Sequence, residues 1–319
     1  MVQTRNPAQR SIHGSSPRHA VVAAIVMIVT AGGTEMTHAK GRDGGWRPPE
    51  QLLRTDESQV PGGCPIESPG GRFVFTARNP TGVNLDIYVN ERAGPDVPLE
   101  PGAVLPETIS TESANDFCPT PMPDGVLYFV SNREAGGAGC GSTDIHVSVD
   151  NPATGYDDPV RLACHPHGPN TPGTELSPSI VEHPWGTFLF YSTDHDGGDQ
   201  DIYVSVMQDD GSFGPGYRLG WPINTDYDDK QPNVSQDGRE MVFASTRDSG
   251  DPMSSDIFHA RRGFLFAPWR RVTNLSRSVP FETADADETR PSLSWDGERL
   301  LYGSGGVWQS ERRVRGRRW

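Results

Sequence analysis

The sequence predicts an all-β fold: a five-bladed β-propeller of four-stranded antiparallel blades, closed into a ring by an amino-terminal strand. Three observations support this prediction. The 319-residue chain contains 36 Gly and 29 Pro, and in a helix interior each Gly costs about 1 kcal/mol and each Pro about 3 kcal/mol relative to Ala. Its 27 aromatic residues recur in short apolar runs bounded by turn residues. Two short motifs repeat at a nearly constant spacing, which is typical of a fold built from repeated units.

The two motifs define five repeats of about 56 residues. One is Asp-Ile followed by an aromatic residue or His, at intervals of 58, 57 and 55 residues, and it begins at Asp86, Asp144, Asp201 and Asp256. The other is a Pro with a Gly six or eight residues later, in the pairs Pro65/Gly71, Pro119/Gly125, Pro178/Gly186, Pro232/Gly238 and Pro291/Gly297. An apolar run follows each Gly, as in a β-hairpin. This period accommodates one four-stranded blade, whereas a β-sandwich would not explain paired motifs in step. Residues 40–312 are therefore predicted to form the propeller.

A segment before the first repeat is predicted to complete the last blade. The fifth repeat ends too early to contain a fourth strand, whereas residues 46–52 resemble the fourth-strand segments 217–219 and 269–272. Pairing of this segment with the fifth repeat would close the ring and hide two open sheet edges.

Residues 1–39 are predicted to be a signal peptide. Arg5, Arg10 and Arg18 precede residues 20–31, which are uncharged and mostly apolar. A membrane-spanning helix needs about 20 apolar residues, so this stretch fits a signal peptide, with an uncleaved anchor as the alternative. We expect export to the periplasm or the extracellular space, only transient contact with the membrane, and disulfide bonds between cysteines.

The charge distribution excludes a nucleic acid as the partner. The formal net charge is −14, and because both termini are basic, residues 40–310 carry −20. An acidic body of this kind cannot displace counterions from phosphates. We expect a monomer that binds a protein or peptide. Residues 313–319 are predicted to be a solvated basic tail, with contact to anionic lipid as the alternative.

Four acidic residues stand three positions before the strand-opening Pro of a repeat: Asp116, Glu175, Asp229 and Glu288. The innermost strand of each propeller blade lines the central channel, so these residues are candidates for an acidic ring at one channel mouth. Such a ring would bind a cation or a basic peptide terminus. The alternative is that each carboxylate accepts backbone N–H bonds from the loop that leads into its blade.

One loop has the composition of a calcium site. Asp194, Asp196 and Asp199 supply alternating oxygens around two Gly residues, and Ca²⁺ is the only cofactor that the sequence suggests. The distal bidentate Glu of such loops is missing. The Asp201 that follows belongs to the repeated Asp-Ile motif, which favours hydrogen bonding within the blade.

The four cysteines are Cys64, Cys118, Cys140 and Cys164. In a propeller, the start of the inner strand and the loop between the second and third strands lie on the same face, which we call the upper face. Cys118 starts the inner strand of the second blade, and Cys140 lies in the second-to-third strand loop of that blade. We therefore predict a Cys118–Cys140 disulfide and leave the pairing of the other two cysteines open.

Residues 118–133, 231–238 and 290–297 carry the Pro, Asp-Gly and Ser-x-Arg pattern of a known repeat. In these residues the chain resembles the WD40-like PD40 repeat family of TolB-type propellers. The resemblance covers residues 46–312 and implies the propeller fold. The 40-odd residues before the first repeat leave no room for the amino-terminal α/β domain of TolB-type proteins, so their role in the cell envelope does not follow from the resemblance.

No catalytic motif is evident in the sequence, since it lacks the Gly-x-Ser-x-Gly elbow, phosphate loops and dinucleotide fingerprints. The sequence therefore favours an exported binding or scaffolding module with its partner on the upper face. A glycosidase-like enzyme that uses two of the four acids as general acid and base is the first alternative. A calcium-dependent adhesion module is the second.

Overall fold

The computed structural model of the protein describes residues 45–52, 62–79, 82–134, 139–251, 253–277 and 287–312. The predicted signal peptide and the basic tail lie outside these residues. In the described ranges the chain forms 21 β-strands and no α-helix. Those ranges accordingly contain no helical segment with the length and apolar character to cross a membrane. The all-β prediction is confirmed.

In chain order the strands are β1 (Glu50–Gln51), β2 (Gly63–Glu67), β3 (Phe73–Arg78), β4 (Asp86–Glu91), β5 (Ala103–Val104), β6 (Asp116–Pro121), β7 (Val126–Ser131), β8 (Asp144–Asn151), β9 (Gly155–Tyr156), β10 (Val160–Arg161), β11 (Leu176–His183), β12 (Gly186–Thr193), β13 (Asp201–Val206), β14 (Tyr217–Arg218), β15 (Asp229–Val234), β16 (Glu240–Ser245), β17 (Asp256–Arg261), β18 (Arg270–Asn274), β19 (Thr289–Leu293), β20 (Arg299–Gly303) and β21 (Val307–Glu311).

These strands form the five predicted blades. The sheets are, from the first blade to the fifth, β2–β5; β6–β8 with β10; β11–β14; β15–β18; and β19–β21 with β1. Neighbouring strands within each of these sheets pair antiparallel, and β9 pairs with the end of β8 as a short extra hairpin. Four strands in each repeat of about 56 residues account for the observed period.

The amino-terminal segment closes the ring, as predicted. Glu50 pairs with Gln309 and Gln51 with Trp308, so β1 is the outermost strand of the fifth blade. Trp46 is buried in the apolar cluster that contains Leu300. Closure removes an open edge from the last blade, and an open edge is a template for association with other chains.

A buried ion network joins the first blade to the fifth. Glu67 at the end of β2 accepts hydrogen bonds from Arg92, which follows β4, and from Arg299 of β20, whose Nε lies 3.0 Å from Glu67 Oε1. The side chains of Arg92 and Glu67 are 0% and 1% exposed. Burial lowers the pKa of Arg92, and the Glu67 charge opposes that shift. Because a buried guanidinium needs a nearby negative charge, Glu67 holds Arg92 within the first blade, and its bond to Arg299 ties that blade to the fifth.

The inner strand of every blade has a bulge at the same place. Its register shifts once in each blade, between Gly63 and Ile66 in the first and at the equivalent place in the others. One residue of each bulge has a φ of 48° to 57°, namely Cys64, Cys118, Ser177, Gln231 and Arg290. A positive φ is costly for these residue types, so its fivefold repetition indicates a structural requirement. A bulge re-aims its side chain, and here it turns five side chains toward the centre of the ring.

Candidate functional site in the central channel

The five bulge residues, which we call the channel residues, line one cavity on the axis of the propeller. They are Cys64, Cys118, Ser177, Gln231 and Arg290, and each precedes the Pro that opens the repeat motif. The cavity has a volume of about 30 Å³ and is also lined by these five prolines. A set of one thiol pair, one hydroxyl, one amide and one guanidinium makes the channel polar and chemically asymmetric.

Two cysteines and an arginine meet at the upper end of this channel. Cys64 Sγ lies 2.6 Å from Cys118 Sγ. Arg290 Nη1 donates a hydrogen bond of 2.5 Å to Cys64 Sγ, and Ser177 Oγ donates one of 3.3 Å to Cys118 Sγ. The backbone N–H of Cys118 also donates to Cys64 Sγ, at 3.1 Å. The two sulfurs therefore stand among three hydrogen-bond donors, one of which is a full positive charge.

The two thiols of the pair have opposite pKa shifts. Burial raises the pKa of Cys64, and its hydrogen bond to Cys118 adds to that effect. Burial also disfavours the Cys118 thiolate, but the hydrogen bond from Cys64 and the charge of Arg290 outweigh it and lower the pKa of Cys118 to about 6. The pair therefore favours one shared negative charge, which Arg290 balances through its hydrogen bond to Cys64.

The predicted Cys118–Cys140 disulfide is wrong. The disulfide joins Cys140 to Cys164, with a Cα–Cα distance of 5.5 Å, while Cys118 faces Cys64. All four cysteines do lie toward the upper face, but the bulge turns Cys118 inward to the channel, and Cys140 lies in an outer loop. The signal that sequence reasoning missed is position: Cys64 and Cys118 both precede the strand-opening Pro, so they are equivalent residues of neighbouring blades.

The four acids predicted for a channel mouth are buried at the starts of the inner strands, with exposed fractions of 0% to 2%. Asp116 forms an ion pair with Arg133 at 2.8 Å and accepts the backbone N–H of Thr111. Asp229 accepts the equivalent two bonds, one from the guanidinium of Arg247 and one from the backbone N–H of Thr225. These two carboxylates thus fasten the loop that leads into their blade. Whether any of the four, Glu288 included, binds a ligand stays a prediction.

Glu175 differs from the other acids in its partners. The third blade has His195 where the second and fourth blades have the arginine. Glu175 Oε1 accepts hydrogen bonds from the hydroxyls of Thr171 and Thr193, and its Oε2 has no partner among the described residues. Burial raises the pKa of Glu175 to about 8, and the neighbouring Asp144 adds to the shift. This carboxyl therefore keeps its proton at neutral pH.

The loop predicted to bind calcium uses two of its carboxylates within its own blade. Asp194 accepts the backbone N–H of Thr174 at 2.7 Å, and Asp196 accepts the hydroxyl of Tyr203. Across the described ranges, no three His, Cys, Asp or Glu side chains are grouped so as to hold a metal ion. Calcium binding by Asp194, Asp196 and Asp199 stays a prediction.

The upper face exposes large apolar side chains among acidic loops. Trp221 and Tyr227, in the loop between β14 and β15, are 55% and 52% exposed, and Met253, between β16 and β17, is 83% exposed. Asp226 and Asp251 are exposed beside them in sequence. On the opposite face, Trp185 and Phe264 are exposed to a similar degree, at 56% and 61%.

Solved structures resemble this fold at low sequence identity. The α-L-arabinofuranosidase PaAbf62A from Podospora anserina is 13% identical with a TM-score of 0.56, and the catalytic domain of the GH62 α-L-arabinofuranosidase from Coprinopsis cinerea is 14% identical with a TM-score of 0.58; each alignment covers 84% of this chain and 96% of the other. TolB from Acinetobacter baumannii is 17% identical with a TM-score of 0.45, over 82% of this chain and 59% of that one. No family model and no curated protein matches the sequence. These likenesses extend to the fold alone.

Proposed function

We propose that the protein is an exported binding module that recognises a basic segment of a partner protein or a basic peptide on its upper face. The observation that carries the proposal is the pair of exposed aromatic side chains Trp221 and Tyr227 on a loop that also presents Asp226. Trp and Tyr are enriched among residues that dominate binding energy at interfaces. The charge of −20 over residues 40–310 favours a positively charged partner and speeds its encounter.

Two further parts of the proposal concern identity and location. Membership of the PD40 repeat family is supported by the motifs at 118–133, 231–238 and 290–297. Export is supported by the apolar stretch at 20–31 and by the Cys140–Cys164 disulfide, because disulfides persist in oxidising compartments.

The chain offers a matched control for the binding test. A random peptide library is selected on the immobilised protein, and the dissociation constants of the selected peptides are measured by calorimetry. The selected peptides are expected to be basic and to bind at least tenfold more weakly to Trp221→Ala and Tyr227→Ala. Trp185→Ala and Phe264→Ala, equally exposed on the opposite face, are expected to bind as the wild type does.

Three outcomes would contradict this function. A selection that enriches no peptide would contradict a binding module. Upper-face variants that bind as tightly as the wild type, or opposite-face variants that lose as much affinity, would contradict binding at the upper face.

A glycosidase-like enzyme is the second candidate, and Glu175 is the observation that favours it. A carboxyl that keeps its proton at neutral pH has the property required of a general acid in glycoside hydrolysis. The similar structures include two α-L-arabinofuranosidases, so α-L-arabinofuranosides are the first substrates to try. The burial of Glu175 means that the loops around it would have to open to admit a sugar.

The test measures sugar release from aryl α-L-arabinofuranosides and a panel of glycans. We take Glu288, another of the four buried acids, as the second catalytic carboxylate. Activity is expected to fall at least a hundredfold in Glu175→Gln and in Glu288→Gln, and to be kept in Glu182→Gln, an exposed acid at the opposite end of β11. A wild type without activity, or activity that survives both substitutions, would eliminate this candidate.

A further inference from the structure

The channel places two thiols at nearly bonding distance. Cys64 and Cys118 occupy equivalent bulges of adjacent blades, with φ values of 48° and 49°. Their sulfurs are 2.6 Å apart, about 0.6 Å more than in a disulfide, so the two sulfurs are within reach of a covalent bond. The pair is chemically separate from the Cys140–Cys164 disulfide, which joins two outer loops.

The groups that face the pair stabilise one negative charge on it. Arg290 of β19 donates to Cys64, Ser177 of β11 donates to Cys118, and Gln231 of β15 completes the ring. Burial lowers the pKa of Arg290, but the two cysteines raise it above its ordinary value, with a smaller contribution from Asp287. A buried thiol in an apolar site is inert, whereas a thiolate beside a guanidinium is nucleophilic.

We propose that Cys64 and Cys118 form a dithiol–disulfide redox couple at the centre of the propeller channel, with Cys118 as the attacking sulfur and Arg290 stabilising the reduced form. The cavity beside the pair has a volume of about 30 Å³, enough for a molecule the size of hydrogen peroxide. The couple is independent of the function proposed for the upper face.

With a peroxide as oxidant, the electrons balance in two steps. The Cys118 thiolate attacks one peroxide oxygen, an S–O bond forms, the O–O bond breaks, and the hydroxide released takes a proton to become water. Cys64 then gives up its proton and attacks the Cys118 sulfur, an S–S bond forms, and the S–O oxygen leaves as water. Two thiols lose two electrons, and one peroxide becomes two waters. Two equivalents of a small thiol return the pair to two thiols by thiol–disulfide exchange, and they leave joined to each other as the oxidised disulfide.

Stabilisation of the thiolate makes the disulfide easier to reduce, because it lowers the free energy of the reduced form alone. The channel couple should therefore be reduced under milder conditions than the Cys140–Cys164 bond. This difference separates a redox couple from a second structural disulfide.

The first experiment equilibrates the folded protein at a series of ratios of reduced to oxidised glutathione. Acid trapping, alkylation and peptide mass spectrometry then report each cysteine separately, and circular dichroism checks the fold. We expect the Cys64–Cys118 bond to open at a ratio at least tenfold milder than the Cys140–Cys164 bond, with the fold unchanged. Thiols that never pair, or a channel bond that opens only with the other bond or with unfolding, would overturn the proposal.

The second experiment tests the role of Arg290. Absorbance at 240 nm follows thiolate formation in the reduced protein as pH rises, and the midpoint is expected near 6, against 9.0 for an ordinary thiol. Arg290→Gln is expected to raise this midpoint by at least one pH unit and to require about tenfold more reduced glutathione for half-reduction of the channel bond. Arg271→Gln is the matched control, since Arg271 has the same backbone conformation (φ 52°) but is exposed on β18.

Equal behaviour of the two arginine variants would contradict the role of Arg290. If Arg290→Gln does not fold, the midpoint of the wild type decides, because a value near 9 refutes a stabilised thiolate.

The attacking sulfur is assigned with one equivalent of hydrogen peroxide and a sulfenic acid trap. Cys64→Ser is expected to be trapped at Cys118, and trapping of Cys64 in Cys118→Ser at an equal rate would overturn the assignment.

Discussion

Replacing Glu175 with Gln is expected to stabilise the protein at alkaline pH and to leave it nearly unchanged in acid. Burial raises the pKa of this carboxyl from 4.5 to about 8. Between these values the native state binds a proton that the unfolded chain has released, so the wild type loses stability as pH rises from 4.5 to 8. The whole difference in pKa corresponds to about 5 kcal/mol of unfolding free energy. The Gln variant lacks this loss because its side chain does not titrate.

Urea unfolding of wild type and Glu175→Gln between pH 5 and pH 8.5 measures the effect. The variant is expected to be more stable by about 1 kcal/mol at pH 5 and by about 4.5 kcal/mol at pH 8.5. Groups that titrate in both proteins cancel in the difference. The hydroxyls of Thr171 and Thr193 still have the amide oxygen of Gln as an acceptor.

Asp229→Asn is the control at the equivalent place of the fourth blade. Here the acid faces Arg247, so removal of its charge leaves a mostly buried guanidinium without a counter-ion. This variant is expected to lose about 3 to 5 kcal/mol at both ends of the pH range. A difference between wild type and Glu175→Gln that stays constant within about 1 kcal/mol would refute the argument, because Glu175 would then titrate like an exposed carboxyl.

Three further predictions concern stability. Glu67→Gln is expected to lower the unfolding free energy in urea by about 3 to 5 kcal/mol, because Arg92 then keeps a buried charge without its partner; an unchanged value would contradict this. Loss of the Cys140–Cys164 bond by double substitution to Ser should lower the free energy of unfolding by about 3 kcal/mol, since 24 residues separate the two cysteines. Calorimetry should show a lower Tm, and an unchanged Tm would contradict this. Trp46→Ala should lower the free energy of unfolding by about 3 to 5 kcal/mol and expose the edge of β21. Light scattering should then detect association that rises with protein concentration, and a fully monomeric variant would argue against ring closure by β1.

Much of the fold was predictable because the repeat places the same local signals in every blade. The Pro and Gly of the second motif mark the inner strand and its hairpin, and the motif that begins at Asp144 marks the third strand, β8. The first strand could be assigned to the last blade because the fifth repeat is one strand short. Strand propensity, turn residues and spacing act over a few residues each, so they are legible in the sequence.

The site was less predictable because side-chain direction depends on the bulge. The acids such as Asp116 were expected at the channel mouth, but they stand two residues before the bulge and turn into the blade, where Asp116 meets Arg133. Two residues after the equivalent strand of the third blade, β12, stands His195, and that single difference leaves Glu175 without an arginine. The Ser-x-Arg pattern of the second and fourth blades was the available signal for this contrast.

The sequence by itself determined the number of blades, the order of their strands and the closure of the ring. Only the tertiary structure decided which side chains meet on the axis. Cys64 lies 54 residues from Cys118 and 226 from Arg290 along the chain, yet all three are in hydrogen-bond contact. The physical reason is that ring closure brings the first and fifth blades together, while a left-handed bulge residue in each blade points inward. No local property of those segments encodes either distance.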